Sequence, residues 1–265
     1  MLVPHARTQN QTVAAQPVAP TAAHADENSL LAALSPGEFR RLRSDLEPVT
    51  MTFGEILYEP GETIRHVYFP VTSLVSLLTV VDGHLALEVG LIGREGMVGI
   101  PLVLGHDASS VRALVQGDGT ALRMSEAHFR RNCHNSPPLQ QELYRYTHTL
   151  MAQISQTAAC NRFHVLEQRL ARWLLMTHDR VKSDQFCMTH EFLGHMLGVR
   201  RVGVTRAAQA LQNRKLISYT RGDITILDRK GLEESACRCY EVVRDMHDGP
   251  QAGPMKRKPG IPAAS

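Results

Sequence analysis

Arg200, Arg201, Thr205, Arg206 and Gln209 recur at spacings of three and four residues, which places them on one side of a helix. Guanidinium groups there can bind phosphate oxygens, and those near the start of the helix can reach guanine edges in a major groove. Between Val199 and Lys230 stand eight basic residues, Arg200, Arg201, Arg206, Arg214, Lys215, Arg221, Arg229 and Lys230. Only Asp223 and Asp228 oppose them, so the segment carries +6 in a chain whose total is +3. Such a local excess points to a polyanionic partner.

The elements that must hold these side chains are legible around them. In the stretch THEFLGHMLGVRRVGVTRAAQALQNR, from Thr189 to Arg214, apolar residues fall at Leu193, Leu197, Val199, Val204 and Ala207. This spacing predicts two short helices that each bury one face, with Gly194 at their close approach and Gly198 in the turn between them. Thr189 and His190 open the first helix, and Val202 joins the outer face of the second. Leu216 to Thr220 and Ile224 to Leu227 read as two short strands joined by Arg221-Gly222-Asp223. Helix-turn-helix motifs also serve as packing modules, but one followed by a basic hairpin has the pattern of a winged DNA-binding domain. The candidate DNA contacts are Thr189, His190, Arg200, Arg201, Val202, Thr205, Arg206, Gln209 and Arg221.

At 265 residues the chain is long enough for two domains, each with its own core. The apolar fraction is 43%, and no apolar run approaches the roughly 18 to 20 residues that span a bilayer. The first twenty residues lack the continuous apolar core of a secretory signal, so a cytoplasmic protein without membrane contact is expected. Five scattered cysteines, Cys133, Cys160, Cys187, Cys237 and Cys239, argue against a disulfide framework. Cys237-Arg238-Cys239 is too tight for a zinc site without a second pair, so these read as structural thiols and no metal ligand is assigned.

Composition divides the chain. Residues 1–28 are rich in Ala, Pro, Gln and Thr and read as a disordered tail. Residues 29–135 begin with a helical lead and continue as short apolar stretches punctuated by glycines from Gly54 to Gly119. Strands are predicted at Ile56–Tyr58, His66–Phe69, Leu74–Val80, Ala86–Leu91, Ala113–Gln116 and Thr120–Met124, the pattern of an antiparallel β-roll of jelly-roll type. Ser136-Pro137-Pro138 then opens a long helix over residues 136–162. Its stripe of Leu139, Leu143, Tyr146, Leu150 and Ile154 resembles a coiled-coil seam. The stripe suits either a dimer interface or packing on the chain's own roll, and dimerisation is the expectation. Residues 163–246 carry a further helix, Phe163 to Val181, then the DNA-binding motif and a last helix capped by Asp228. Residues 247–265 read as a flexible tail. The fold class expected is α+β: a β-roll sensor domain, a long dimerisation helix and a C-terminal winged helix-turn-helix.

In this order of elements the chain resembles the Crp/Fnr family of bacterial transcription regulators over about residues 29 to 243. The likeness is most specific at Thr189, Gly194, Gly198, Arg201, Val204 and Arg206, and in LEQRLARWLL from Leu166 to Leu175. FGEILYEPGETIRHVYFP resembles a strand pair of the family's roll, the cyclic-nucleotide-binding-like domain. The resemblance implies double-stranded DNA, a second copy of the chain and RNA polymerase as partners, with an effector small molecule of unknown identity. A two-fold pair of winged helices would match a palindromic site, and no enzymatic activity is expected.

Two departures from the family pattern carry information. Where cyclic AMP-binding members place a Gly-Glu step, this chain has Gly99-Ile100, and Asp107-Ala108 stands where their Arg-Ser or Arg-Thr pair falls. An aspartate there repels a phosphate, so cyclic AMP is not expected, and Gly99, Arg94 and Arg112 remain as candidate ligand residues. Val202 stands where well-known activators have a glutamate after the arginine matching Arg201, which should alter the preferred half-site. No cysteine precedes Cys133, so the iron-sulfur cluster of oxygen-sensing members is not expected. A cupin-type metalloenzyme would need clustered ligands, whereas His66, His84 and His106 are singletons and Glu88 stands alone. The remaining alternative is a ligand-binding module that acts on a protein partner without DNA.

Overall fold

A computed structural model describes residues 28–81, 85–181, 183–220 and 222–248. Of the tails expected at residues 1–28 and 247–265, residues 1–27 and 249–265 lie outside the described residues, as do Gly83, His84 and Arg221.

Two short helices, α1 (Ser29–Ala32) and α2 (Pro36–Arg43), lead into the roll. Asn28 belongs to the fold rather than to a tail: its buried side chain caps α1 and donates to the carbonyls of Pro70 and Gly96. The roll is built from β1 (Glu47–Met51), β2 (Ile56–Tyr58), β3 (His66–Pro70), β4 (Leu74–Val81) and β5 (Leu85–Ile92), then β6 (Arg112–Gly117) and β7 (Gly119–Ser125). Between β5 and β6 lies one short helix, α3 (Ile100–Val103). Two antiparallel sheets of order β1-β7-β3 and β2-β6-β4-β5 face each other across a core that includes Met51, Val67, Phe69, Met97, Ala113 and Val115. The expected antiparallel roll is therefore the observed one. β1 was absent from the expected strands because Glu47-Pro48-Val49-Thr50-Met51 buries only its last residue; pairing with β7 supplies its order.

Helix α4 (Glu126–Asn135) precedes α5 (Pro137–Phe163), 27 residues long and capped by the Ser136 hydroxyl on the Leu139 amide. Leu139, Leu143, Tyr146 and Leu150 are buried in the core of the chain's own roll, with Ile154 packed at its edge. The stripe read as a dimer seam is thus turned inward, because the open face of the roll offers the same apolar surface that a partner helix would. Gly96 permits this approach: a methyl group there would sit 2.1 Å from the Tyr146 ring. The outward face of α5 exposes Tyr144 and Met151 instead.

The chain breaks at His164-Val165 and continues as α6 (Leu166–Val181), whose Trp173, Leu174 and Leu175 are buried. β8 (Gln185–Cys187), α7 (His190–Leu197), α8 (Arg201–Asn213), β9 (Ile217–Thr220) and β10 (Asp223–Ile226) follow. The last helix divides into α9 (Arg229–Ser235), capped by Asp228, and α10 (Cys239–Asp248), which takes in His247 from the expected tail. Among the described residues no helix is long and apolar enough to cross a membrane.

Candidate nucleic-acid interface

The interface is set by how α7 and α8 are ended. Thr189 caps α7, its hydroxyl accepting from the Phe192 amide at 3.1 Å. This is a helix-stabilising role of about 1 kcal/mol. Gly198 closes α7 in the left-handed region at φ 63°, and the Val199 amide donates back to the Gly194 carbonyl at 2.9 Å. Glycine is required at the first position by backbone conformation and at the second by proximity. A side chain at Gly194 would meet the Val199 carbonyl at 2.9 Å.

Helix α8 is two-faced. Val204, Ala207, Ala208 and Leu211 are buried against α6 and α7 with Leu193, Leu197 and Trp173 in one core. Arg200, Arg201, Val202, Thr205, Arg206 and Gln209 are all exposed on the other side. Six of the nine expected DNA contacts therefore share one open surface at the N-terminal half of α8. Among the described residues, Arg200, Arg201 and Arg206 have no carboxylate within 4.0 Å, so their charges remain available to an anion.

Not every basic residue of the segment is equally available. Arg214 pairs with Glu167 at 3.1 Å, and Arg229 binds Asp179 at 2.6 Å, Glu233 at 3.1 Å and the Tyr240 hydroxyl at 2.7 Å. Those two hold α8 and α9 to the helix before the motif. The excess of charge read from the sequence therefore overstates what faces outward.

His190 takes a supporting place. Its imidazole stacks on Tyr219 of β9 with centroids 4.1 Å apart and planes 16° off parallel, and its Nδ1 lies 3.0 Å from the Thr205 hydroxyl. Burial, and then the Arg201 guanidinium, hold its pKa below the ordinary imidazole value. A neutral His190 thus fixes the Thr205 side chain. Tyr219, which sequence reading left unassigned, completes the arrangement by donating its hydroxyl to the Met188 carbonyl at 3.2 Å.

The hairpin is present and larger than expected. β10 pairs antiparallel with β9 on one side and with β8 on the other, so the wing is a three-stranded sheet. Gly222, at φ 99°, makes the turn between β9 and β10.

α7 also rests on the roll. Leu87 of β5 touches Gly198, and the Phe192 ring lies 5.3 Å from that of Phe53.

The candidate ligand residues are not gathered into one cavity. Gly99 takes φ 110° and its α-carbon faces Val67, where a methyl would come within 2.9 Å. Arg112 is held by Glu59 at 2.8 Å, and Asp107 pairs with Arg130. The Arg94 carbonyl accepts from the Ser29 amide at 2.7 Å. An open pocket of about 350 Å³ lies instead beside α3, α4 and α5, lined by Leu102, Val103, Phe129, Arg130, Cys133 and Leu143.

One more cluster lies outside this surface: Cys160, His164, Cys237 and Cys239 place their ligand atoms within 4.8 Å of one another. The second pair that Cys237 and Cys239 lack in sequence is supplied by the end of α5, which the spacing of the chain does not disclose.

Residues 168–235 match the family described as a Crp-like helix-turn-helix domain. No curated protein matches the sequence. Among solved structures, a transcriptional regulator of the Crp/Fnr family from Eubacterium rectale superposes with a TM-score of 0.64 at 17% identity. That match covers 79% of this chain and 98% of the other. FixK2 from Bradyrhizobium japonicum gives 0.62 at 15% identity over 72% of this chain and 98% of its own. The c-di-GMP-responsive global regulator CLP from Xanthomonas campestris gives 0.61 at 15% identity over 72% and 99%. At these identities the likeness is one of fold, and it spans the roll as well as the motif. The chain carries a Crp-like helix-turn-helix domain on the fold of the Crp/Fnr family of transcriptional regulators.

Proposed function

We propose that this protein is a sequence-specific transcription regulator that binds DNA as a homodimer, places α8 in the major groove and works without cyclic AMP. The observation that carries the reading is the division of α8 into a buried apolar face and an exposed face bearing Arg200, Arg201, Thr205, Arg206 and Gln209. Arg201 and Arg206 are the base readers, Arg200 and Thr205 touch phosphate, and Val202 meets a thymine methyl. The wing lies along the backbone.

A second copy of the chain brings a second α8, so the site is a palindrome with half-sites one helical turn apart. The exposed Tyr144 and Met151, seven residues apart on α5, supply the contact between copies. Cyclic AMP is disfavoured because Arg112 is already paired with Glu59, and Asp107, itself paired with Arg130, puts no cation where the phosphate would need one. An effector or partner at the roll acts by shifting α5 and thereby the spacing of the two recognition helices.

Selection of bound sequences from a random duplex pool, with and without cyclic AMP, tests this. A palindrome enriched equally in both arms is the expected result. Enrichment only with the nucleotide overturns the cyclic AMP reading, and binding to a protein partner with no enrichment in any arm overturns the DNA reading.

A further inference from the structure

The end of α5 and the loop between α9 and α10 meet at a cluster of four metal-ligating side chains. Cys160 stands in the last turn of α5 and His164 at its C-cap, four residues on and therefore on the same face. Cys237 precedes α10 and Cys239 opens it. The Cys160 and Cys237 sulfurs are 3.4 Å apart, and the Cys239 sulfur lies 3.5 Å from His164 Nδ1. All three thiols are buried and none is in a disulfide, while His164 is half-buried at the rim.

We propose that Cys160, His164, Cys237 and Cys239 form a tetrahedral site for a thiophilic divalent cation, zinc foremost, that clamps the long helix to the DNA-binding half.

The donor set is the Cys3His set of closed structural zinc sites. Zinc–sulfur bonds of about 2.3 Å at tetrahedral angles place sulfurs roughly 3.8 Å apart, so the Cys160–Cys237 pair at 3.4 Å need open by only a few tenths of an ångström. Spacings within 4.8 Å suit one ion rather than a polynuclear cluster. On binding, the three thiols become thiolates and release their protons to solvent, and neutral His164 coordinates through Nδ1. Gln156 is placed as an outer support, its amide donating to the Cys239 sulfur at 3.0 Å.

A second observation points the same way. A divalent ion with three thiolates carries one net negative charge, and two buried guanidiniums stand beside the cluster. Arg169 and Arg172 are 8% and 4% exposed, and the Nε of each lacks a hydrogen-bond partner. Among the described residues neither has a carboxylate within 4.0 Å, and both lie within electrostatic reach of the Cys160 thiol. Buried cations call for a buried anion; Glu88 stands within electrostatic reach of Arg172, and the thiolate site supplies the anion that Arg169 lacks.

The position gives the site a consequence. His164 and Val165 are the break between α5 and α6, the covalent link from the long helix on the roll to the helices that carry α8. An ion there ties that break to the start of α10. Only this consequence rests on the DNA-binding reading; the metal site stands apart from it.

The test uses the full-length chain, expressed with zinc supplied and purified anaerobically with a thiol reductant. Metal content of about one zinc per chain is expected. Replacement by cobalt(II) should give the intense thiolate-to-metal absorption of a tetrahedral site. Alkylation followed by mass spectrometry should show Cys160, Cys237 and Cys239 protected by the metal, while Cys133 and Cys187 react as before. Cys133→Ser should keep full metal content, and Cys239→Ser should weaken retention against a chelator by tenfold or more. Folded wild-type protein with under a tenth of a metal per chain and no cobalt absorption overturns the proposal. A Cys160–Cys237 disulfide persisting in the reductant also overturns it, in favour of a redox pair.

Discussion

The Trp173 indole nitrogen donates to Glu88 Oε1 at 3.0 Å, joining α6 of the DNA-binding half to β5 of the roll. Glu88 also lies 2.7 Å from the Ser76 hydroxyl, which in turn contacts the Gln116 side chain. Burial raises the pKa of this carboxyl from 4.5 to about 7, against the opposing effects of Ser76, Arg172 and Trp173. A polar chain of this kind between two halves gives their contact one preferred geometry, and makes it sensitive to protonation.

The direction of that sensitivity follows from proton binding. Between pH 4.5 and 7 the folded chain keeps a proton on Glu88 that the unfolded chain has released, so this group's contribution falls as pH rises. The full effect is about 3 kcal/mol, present below pH 4.5 and lost once the pH passes 7. Glu88→Gln keeps an acceptor for Trp173 and removes the titration. Urea unfolding at pH 5 and pH 8 should therefore show a smaller decline for the variant than for wild type. Equal declines would mean that Glu88 is ionised in the fold.

Base reading and phosphate binding separate by salt and sequence. Arg201→Ala and Arg206→Ala should each lose about 1 to 3 kcal/mol on the selected site and little on random duplex. Arg200→Ala should weaken both about equally and reduce the slope of affinity against salt by about one counterion. Equal losses on both duplexes for Arg201 and Arg206 would reassign them to the backbone.

His190 tests whether the outer face of α8 is set in advance. His190→Phe keeps a ring on Tyr219 but leaves Thr205 without its 3.0 Å partner. Folding stability should stay within about 1 kcal/mol of wild type while affinity for the selected site falls about tenfold. Because burial and Arg201 keep the imidazole neutral, lowering the pH from 8 to 7 should not tighten binding through this residue. A clear gain over that range, absent in His190→Phe, would give His190 a direct charge contact.

What the sequence made legible was governed by local rules. Gly198 and the alternation of Leu193, Leu197, Val204 and Leu211 specify the motif because turn conformation and helix periodicity act over a few residues. β8 was missed because Gln185-Phe186-Cys187 is short and only Phe186 is even partly buried; its order comes from β10, nearly forty residues on. The site at Cys160 and Cys237 was missed for the same reason, since 77 residues separate the two thiols. Arg214 and Arg229 read as DNA-facing charge until their carboxylate partners on α6 and α9 come into view. A stripe such as Leu139, Leu143, Tyr146 and Leu150 says that a helix face is buried, not against what.

That ambiguity has an experimental resolution, because the two faces of α5 predict opposite behaviour. Leu143 and Leu150 sit in the core of the roll, so Leu143→Glu and Leu150→Glu bury a carboxylate and should unfold the chain rather than yield a folded monomer. Each removes about 2 to 3 kcal/mol of apolar burial before the charge is counted. Tyr144 and Met151 are 51% and 60% exposed, so glutamates there should leave the monomer folded. In a homodimer joined through this face, Tyr144→Glu with Met151→Glu should halve the mass in sedimentation while leaving the thermal midpoint of the monomer fold close to that of wild type. Affinity for a palindrome should drop steeply while affinity for a single half-site stays the same, since each α8 is untouched. A dimer of unchanged mass would place the interface elsewhere on the surface, and folded monomers from Leu143→Glu would return the seam to the inward stripe.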